Sequence, residues 1–371
     1  MLAVSIVGAR PQFVKLAAMC RAIEAHRGVT HRIIHTGQHY DAVMSEVFFR
    51  DLEIPLPDCN LGIGQGSHGE QTGNMLRRLD PVLLELRPDW VLLYGDTNST
   101  LAGALSAAKL RFPIAHVEAG LRSFNRSMPE EINRIVADQL SDLLLCPTET
   151  ALGHLRAEGI AERAVLTGDL MYDAALCYAR KAEATNVLSR HQWATQPFAL
   201  ATIHRAENTD DPSRLEALMS GLDRIAAELI PVVLPLHPRT RKAMAAAGCQ
   251  PSRIRLLEPV TYLEMLALEH RAHLILTDSG GVQKEAYFLK TPCITLRHET
   301  EWSETLANGC NFVVGTDPGR MFEAAQRAPA AGPWTLHYGT GNAGSRILAA
   351  LEAAHEDGSL CMPDRIACSG A

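Results

Sequence analysis

Short apolar runs recur along the chain, separated by longer stretches whose apolar positions return at helical spacing. The runs 3–7, 32–35, 90–94, 114–117, 143–146 and 164–167 read as strands, and their alternation with helices predicts a parallel sheet covered on both faces. A helical, polar stretch over 171–196 interrupts this rhythm. It restarts with 198–202, 232–236, 254–257, 274–277, 293–296 and 312–314, which predicts a second doubly wound domain. A last helical pattern covers 345–355, and 356–371, with its Gly, Ser, Pro and Cys, reads as a frayed tail. The expected organisation is therefore α/β throughout, with two Rossmann-like parallel-sheet domains at 1–170 and 197–344. A connector at 171–196 joins them, 345–371 forms a C-terminal helix and tail, and a cleft lies between the domains.

At 371 residues the chain exceeds the size at which one hydrophobic core usually stops growing, in keeping with two domains. A hydrophobic share of 47% and a charged share of 21% suit a globular protein, and no apolar run approaches the length of a membrane span. The run 3–7 is too short for the apolar core of an export signal. Nine cysteines without a CxxC pair, two of them (Cys146, Cys293) inside apolar runs, read as reduced thiols in a cytoplasmic protein. A net charge of -7 without a basic block argues against a nucleic-acid surface and for a small substrate.

Polar residues directly after a parallel strand are the first candidates for chemistry, because ligands of open α/β sheets sit outside the carboxyl ends of the strands. Residues 8–13 follow the first strand but lack GxGxxG, so no dinucleotide is expected there. Arg10 can instead grip a phosphate through paired N–H donors. Glycines 62, 64, 66 and 69 make a weak phosphate loop, since no strand is expected before them, and read better as a mobile loop. Asp96 follows the strand 90–94, Glu118 follows 114–117 with Arg122 just beyond, and Glu130 and Glu131 open a helix after Pro129. Any one of these acids could serve only as a cap; three acidic clusters on one expected face point to catalysis.

In the second half His204 and Arg205 follow the strand 198–202, and His237 ends the next one. Asp278, Ser279, Gly280 and Gly281 join a strand to a helix expected to start near Val282, where free amides make an anion site. Glu285, one turn on, is placed to accept from a ribose diol. The stretch His298 to Glu301 has no matching ligand pair, so neither metal nor any other cofactor is expected.

These segments together resemble the non-hydrolysing UDP-N-acetylglucosamine 2-epimerase family. The likeness is carried by GARPQF (8–13), GDTNST (95–100), HVEAGLRS (116–123), MPEEINR (128–134), HRAEN (204–208) and TDSGGVQKEA (277–286), in matching order from near Met1 to about Gly344. It implies the GT-B architecture of two Rossmann domains, a homodimer, and a role in precursors of bacterial surface polysaccharides such as lipopolysaccharide O-antigen. It also implies catalytic roles for Asp96, Glu118, Glu130 and His204. Arg10, His204, Ser279, Gly280 and Gly281 are placed at the diphosphate and Glu285 at the uridine ribose. Lys15, Glu131, Arg122, Arg205 and His237 complete the substrate-binding candidates. GARPQF, ATIHRAENTDDP (201–212) and TEW (300–302) look like the branch acting on UDP-2,3-diacetamido-2,3-dideoxyglucuronate, with Gln12, Ala206 and Trp302 departing from the commoner pattern.

The hydrogen on C2 of a 2-acetamido sugar is not next to a carbonyl, so simple deprotonation does not suffice. Without a nucleotide fingerprint for C3 oxidation, the implied route is elimination of UDP to a 2-acetamidoglucal, which takes UDP back at C1 with the opposite configuration at C2. This needs a base, a charge partner for the leaving diphosphate and a closed site. Several crowded acids would raise the basicity of one of them. A GT-B glycosyltransferase, a hydrolysing epimerase and an inactive nucleotide-sugar sensor remain the alternatives. For a uronate, Arg122 or Arg126 is the expected partner of the extra carboxylate.

Overall fold

The structure is a computed structural model that describes residues 1–38, 42–191, 193 and 195–356; the expected frayed tail lies outside them, apart from Glu356. The chain divides into two compact units, one comprising Met1–Ala174 with the segment from His337 onward, the other Ala175–Leu336.

The first unit is built on β1 (Leu2–Val7), β2 (Thr30–His35), β3 (Cys59–Asn60), β4 (Trp90–Tyr94), β5 (Ile114–Val117), β6 (Leu143–Cys146) and β7 (Ala164–Leu166). They form one sheet in the order β3-β2-β1-β4-β5-β6-β7, each described pair running parallel. Strands covered on both faces need side chains that are apolar in both directions, and Trp90–Tyr94 is accordingly buried along its whole length. On one face Ile6, Leu93, Ala104 and Met75 belong to a single apolar cluster. The sheet reverses its winding between β1 and β4, so the loops after these two strands diverge and leave a crevice.

The second unit repeats the plan with β8 (Ala199–Thr202), β9 (Val232–Pro235), β10 (Arg255–Leu257), β11 (Leu274–Thr277), β12 (Cys293–Thr295) and β13 (Asn311–Val313). Their order is β10-β9-β8-β11-β12-β13, again parallel, with the reversal between β8 and β11. The register pairs Thr202 with Thr277, and their hydroxyls meet at 2.5 Å where both strands end.

Two features depart from the expected organisation. Residues 337–344, expected with the second domain, belong to the first unit: Asp169 N–H donates to the Tyr338 carbonyl at 3.0 Å, and Gly344 N–H donates to Asp173 at 2.9 Å. The final helix, Ala343–Glu356, continues that attachment with His26 against Glu352 at 2.7 Å. A short strand, β3, does precede the glycine-rich segment, and Gly69 lies inside the helix His68–Leu86 rather than in the loop. Among the described residues no helix is long and apolar enough to cross a membrane.

Candidate active site

The turn after β4 lies beside the strand-end carboxylate of β5. Gly95 sits at φ 61°, and a side chain added there would come within 3.0 Å of Lys15 Nζ and 3.9 Å of Glu118 Oε1. Glycine avoids the strain of that φ and leaves room for the Lys15 ammonium. Lys15, on the helix Arg10–Glu24, forms an ion pair with Glu118 at 2.5 Å, and both are almost wholly buried. Glu118 itself adopts φ 72°, a left-handed conformation that costs a non-glycine residue energy and is commonest at functional positions. Its N–H and that of Ala119 both donate to the Leu145 carbonyl, which holds the turn in place.

Asp96 is not the cap of the following helix, Asn98–Leu110; Thr97 is. Its carboxylate is therefore turned to Arg134, which donates through Nε at 2.9 Å and lies 2.8 Å away through Nη2. Asn133 donates to the Asp96 carbonyl at 2.8 Å. Both partners come from the helix Pro129–Leu140, on which Glu130, Arg134 and Asp138 succeed one another at four-residue spacing and so share a face. Glu130 is half-buried, and its side chain makes no hydrogen bond or ion pair among the described residues. Asp96 and Glu118 thus each face a cation.

The loop between β5 and this helix is held from below, and two residues expected to bind substrate do the holding. Glu131, fully buried, accepts the N–H groups of Ser123 and Phe124 at 2.9 Å each and pairs with Arg134 at 2.5 Å. Burial alone would raise its carboxyl, but these donors and the Arg134 charge outweigh burial and hold it below the usual range. Arg122 is buried as well. It donates to Asp138 at 2.7 Å, to the Leu121 carbonyl at 2.6 Å and, through two nitrogens, to Glu158 at 2.6 and 2.7 Å. Its guanidinium is committed to the fold, which corrects the expectation that it meets a sugar carboxylate.

Arg10 opens its helix half-buried, and the neighbouring Gln12 supplies an unforeseen tie. Its side-chain oxygen accepts from Gly8 and Ala9 N–H at 2.8 and 3.0 Å, while its NH₂ donates to the Tyr94 carbonyl at 2.9 Å. The departure at this position from the commoner pattern therefore joins the ends of β1 and β4.

In the second unit Asp278, fully buried at the end of β11, organises the facing loop. It accepts from the backbone N–H of His204 and of Arg205 and from Asn208 Nδ2, all at 3.0–3.1 Å, and its Oδ1 lies 3.3 Å from His204 Nδ1. Asp278 fixes the half-exposed His204 ring, whose centroid lies 5.9 Å from that of His237. His237 caps the helix Pro238–Ala247 by accepting from Arg239 N–H. Arg205 stands 4.0 Å from Glu301. The helix expected near Val282 starts at Gly280, with Ser279 as its cap. Gly280 and Gly281 are thus its first two residues, and their amides face outward from the start of the helix. A Cβ on Gly280 would fall 2.6 Å from Glu301 and 3.1 Å from Trp302, so these two side chains close over the helix start. Glu285 is buried, not solvated; its charge, after burial, raises both Tyr262 and Glu269 well above their ordinary values.

Sequence reasoning missed Asp138, Asp278 as the anchor of His204, and the pairings of Lys15, Asn133 and Arg134. A buried acid after a strand and polar residues on an otherwise apolar helix face were the available signals.

Residues 21–352 match the model of the UDP-N-acetylglucosamine 2-epimerase family. A UDP-2,3-diacetamido-2,3-dideoxy-D-glucuronate 2-epimerase of Pseudomonas aeruginosa is 49% identical, over 92% of this chain and 97% of its own length. A UDP-N-acetylglucosamine 2-epimerase of Methanocaldococcus jannaschii is 43% identical over 93% of this chain and 97% of its own length. The crystal structure of the M. jannaschii enzyme with UDP-GlcNAc and UDP superposes with a TM-score of 0.88, covering 95% of this chain and 100% of that one at 43% identity. The Neisseria meningitidis enzyme bound to UDP-GlcNAc gives 0.86 at 30% identity, covering 95% of this chain and 100% of that one.

Proposed function

Because the chain belongs to the UDP-N-acetylglucosamine 2-epimerase family, we propose that it inverts C2 of a UDP-linked 2-acetamido sugar without releasing free sugar. A base takes the C2 proton, the C1–O bond breaks to give UDP, and the new C1=C2 bond is that of a 2-acetamidoglucal. UDP then returns to C1 as a proton enters C2 from the opposite face. The observation that carries the reading is the set of carboxylates in the first unit, Asp96 and Glu118 after the ends of β4 and β5, held by Arg134 and Lys15, and Glu130 in the first turn of the helix Pro129–Leu140.

Glu130, uncommitted within the described residues, suits proton transfer, while Asp96 and Glu118, each fixed by a cation, suit orientation and charge balance. In the second unit His204 and the amides of Gly280 and Gly281 serve the diphosphate, where negative charge grows as the C1–O bond breaks. Glu285 serves the ribose.

For the sugar we propose UDP-2,3-diacetamido-2,3-dideoxyglucuronate, with UDP-GlcNAc as the second candidate, supported by the 49% identity to the Pseudomonas enzyme. With Arg122 committed elsewhere, Arg126, exposed in the loop before the helix Pro129–Leu140, becomes the partner for a C6 carboxylate. We also propose a cytoplasmic homodimer supplying surface-polysaccharide precursors; light scattering on the purified chain tests the dimer.

The test of the reaction is isotopic. Turnover in deuterated water must place deuterium at C2, Glu130→Gln must abolish the label, and Glu118→Gln or Asp96→Asn must slow its entry; epimerisation without label would refute the elimination. A panel of both sugars, followed by NMR at C2, tests the substrate. Equal activity on the two, unchanged by Arg126→Met, would remove the uronate assignment.

A further inference from the structure

His116 is the penultimate residue of β5, two residues before Glu118; it is fully buried and meets an acceptor at each ring nitrogen. Nε2 lies 2.7 Å from the Gly95 carbonyl and Nδ1 lies 2.7 Å from Asp138 Oδ1. A carbonyl oxygen can only accept, so Nε2 carries a hydrogen. Asp138 is an anion on geometry that does not involve the ring: its other oxygen accepts from the always-charged Arg122 at 2.7 Å and from the Gly120 N–H at 3.1 Å, and the carboxyl is held below its ordinary range although burial works against the anion. An ionised carboxylate also only accepts, so Nδ1 carries a hydrogen too.

We propose that His116 is an imidazolium held inside the sheet, and that it is a positioning residue for the two catalytic turns of the first unit. Its Nε2–H pins the Gly95 carbonyl, and in a trans peptide this turns the Asp96 N–H to the opposite side and fixes where the Asp96 side chain leaves the backbone. Its partner Asp138 accepts the Gly120 N–H at 3.1 Å, which fixes the turn that carries Glu118. One ion pair therefore ties the loop after β4 to the loop after β5. The charged groups around it are Asp138 from the helix Pro129–Leu140, then Arg122 and Glu158, which continue the alternation of sign. The Cys146 thiol of β6, pushed up to about 12 by burial and then by the Asp138 charge, remains neutral beside them.

The kinetic part of this inference rests on the epimerase reading; the protonation part does not. In ¹⁵N-histidine-labelled wild-type protein at neutral pH, both ring nitrogens of His116, assigned by their loss in His116→Gln, are expected to carry protons. A ring with one proton would overturn the proposal. His116→Gln, which can still donate to Gly95 but carries no charge, is expected to lower kcat about 100-fold, the scale set by small misplacements of catalytic groups, with UDP affinity within about twofold of wild type. Unchanged kcat would also overturn it. Asp138→Asn removes the anion that holds the ring charged, so kcat is expected to acquire a limb that falls as pH rises and that wild type lacks. A merely structural role predicts no such limb, and its absence counts against the proposal. Should either variant not fold, the wild-type spectrum decides. Absence of wild-type turnover on every UDP-sugar, with both ring protons present, would indict the epimerase reading and not the ion pair.

Discussion

Replacing Arg122 by Met leaves the volume of the side chain nearly filled and removes only the charge and donors. The guanidinium is 2% exposed and the Asp138 carboxylate 0%, so their pair at 2.7 Å lies where water cannot substitute for a lost partner. Breaking a buried pair from one side costs about 3–5 kcal/mol, because the remaining charge stays buried. Asp138 keeps His116 and the Gly120 N–H, which argues for the lower end. The Glu158 arm, 31% exposed on the acid side, adds at most about 1 kcal/mol. For a unit of roughly 200 residues each kcal/mol moves the midpoint by about 2–4 °C, so a loss of about 3 kcal/mol lowers the transition of the first unit by about 6–12 °C. Calorimetry at pH 7 measures it, and adding Asp138→Asn must recover part of the loss by removing the stranded charge. The sign with pH follows from the depressed carboxyl of Asp138. Its stabilisation is complete above the unfolded value near 3.9 and is lost as pH falls through the lower folded value, so the gap between wild type and variant must narrow below about pH 4. A midpoint within about 2 °C of wild type at pH 7, or a gap that widens on acidification, would refute the reasoning.

Asp278→Ala frees the His204 ring and two backbone amides, and is expected to lower kcat by about 10- to 100-fold at unchanged substrate deprotonation geometry, read from initial rates. Gly280→Ala drives a methyl into Glu301 and Trp302 and is expected to weaken UDP binding at least about tenfold by calorimetry; Glu301→Ala in the same chain must restore part of it. Glu131→Gln leaves the Ser123 and Phe124 amides with a weaker acceptor and strips Arg134 of its buried partner; since Arg134 keeps Asp96, the expected loss is about 3 kcal/mol in urea titrations at pH 7. Because the Glu131 carboxyl is held low, that difference must also shrink as pH falls below about 4.3.

The amino-acid sequence by itself determined the strand and helix rhythm, because a strand buried on both faces must be apolar along its length and the helices between must not be. It also marked the residues after Tyr94, Val117, Thr202 and Thr277, since polar side chains at the ends of such runs stand out. The two-residue strand β3 left no signal, being too short to show a period. Which polar residues serve chemistry and which serve the fold was decided only in three dimensions. Arg122 and Glu131 look in sequence like Arg10 and Glu130, yet the first two end in buried pairs with Asp138, Glu158 and Arg134. Lys15 and Glu118 lie far apart along the chain and meet only because β1 and β5 flank β4 in the sheet order. Sequence spacing records neighbours along a helix or strand; partners across a parallel sheet depend on strand order, which no local pattern encodes.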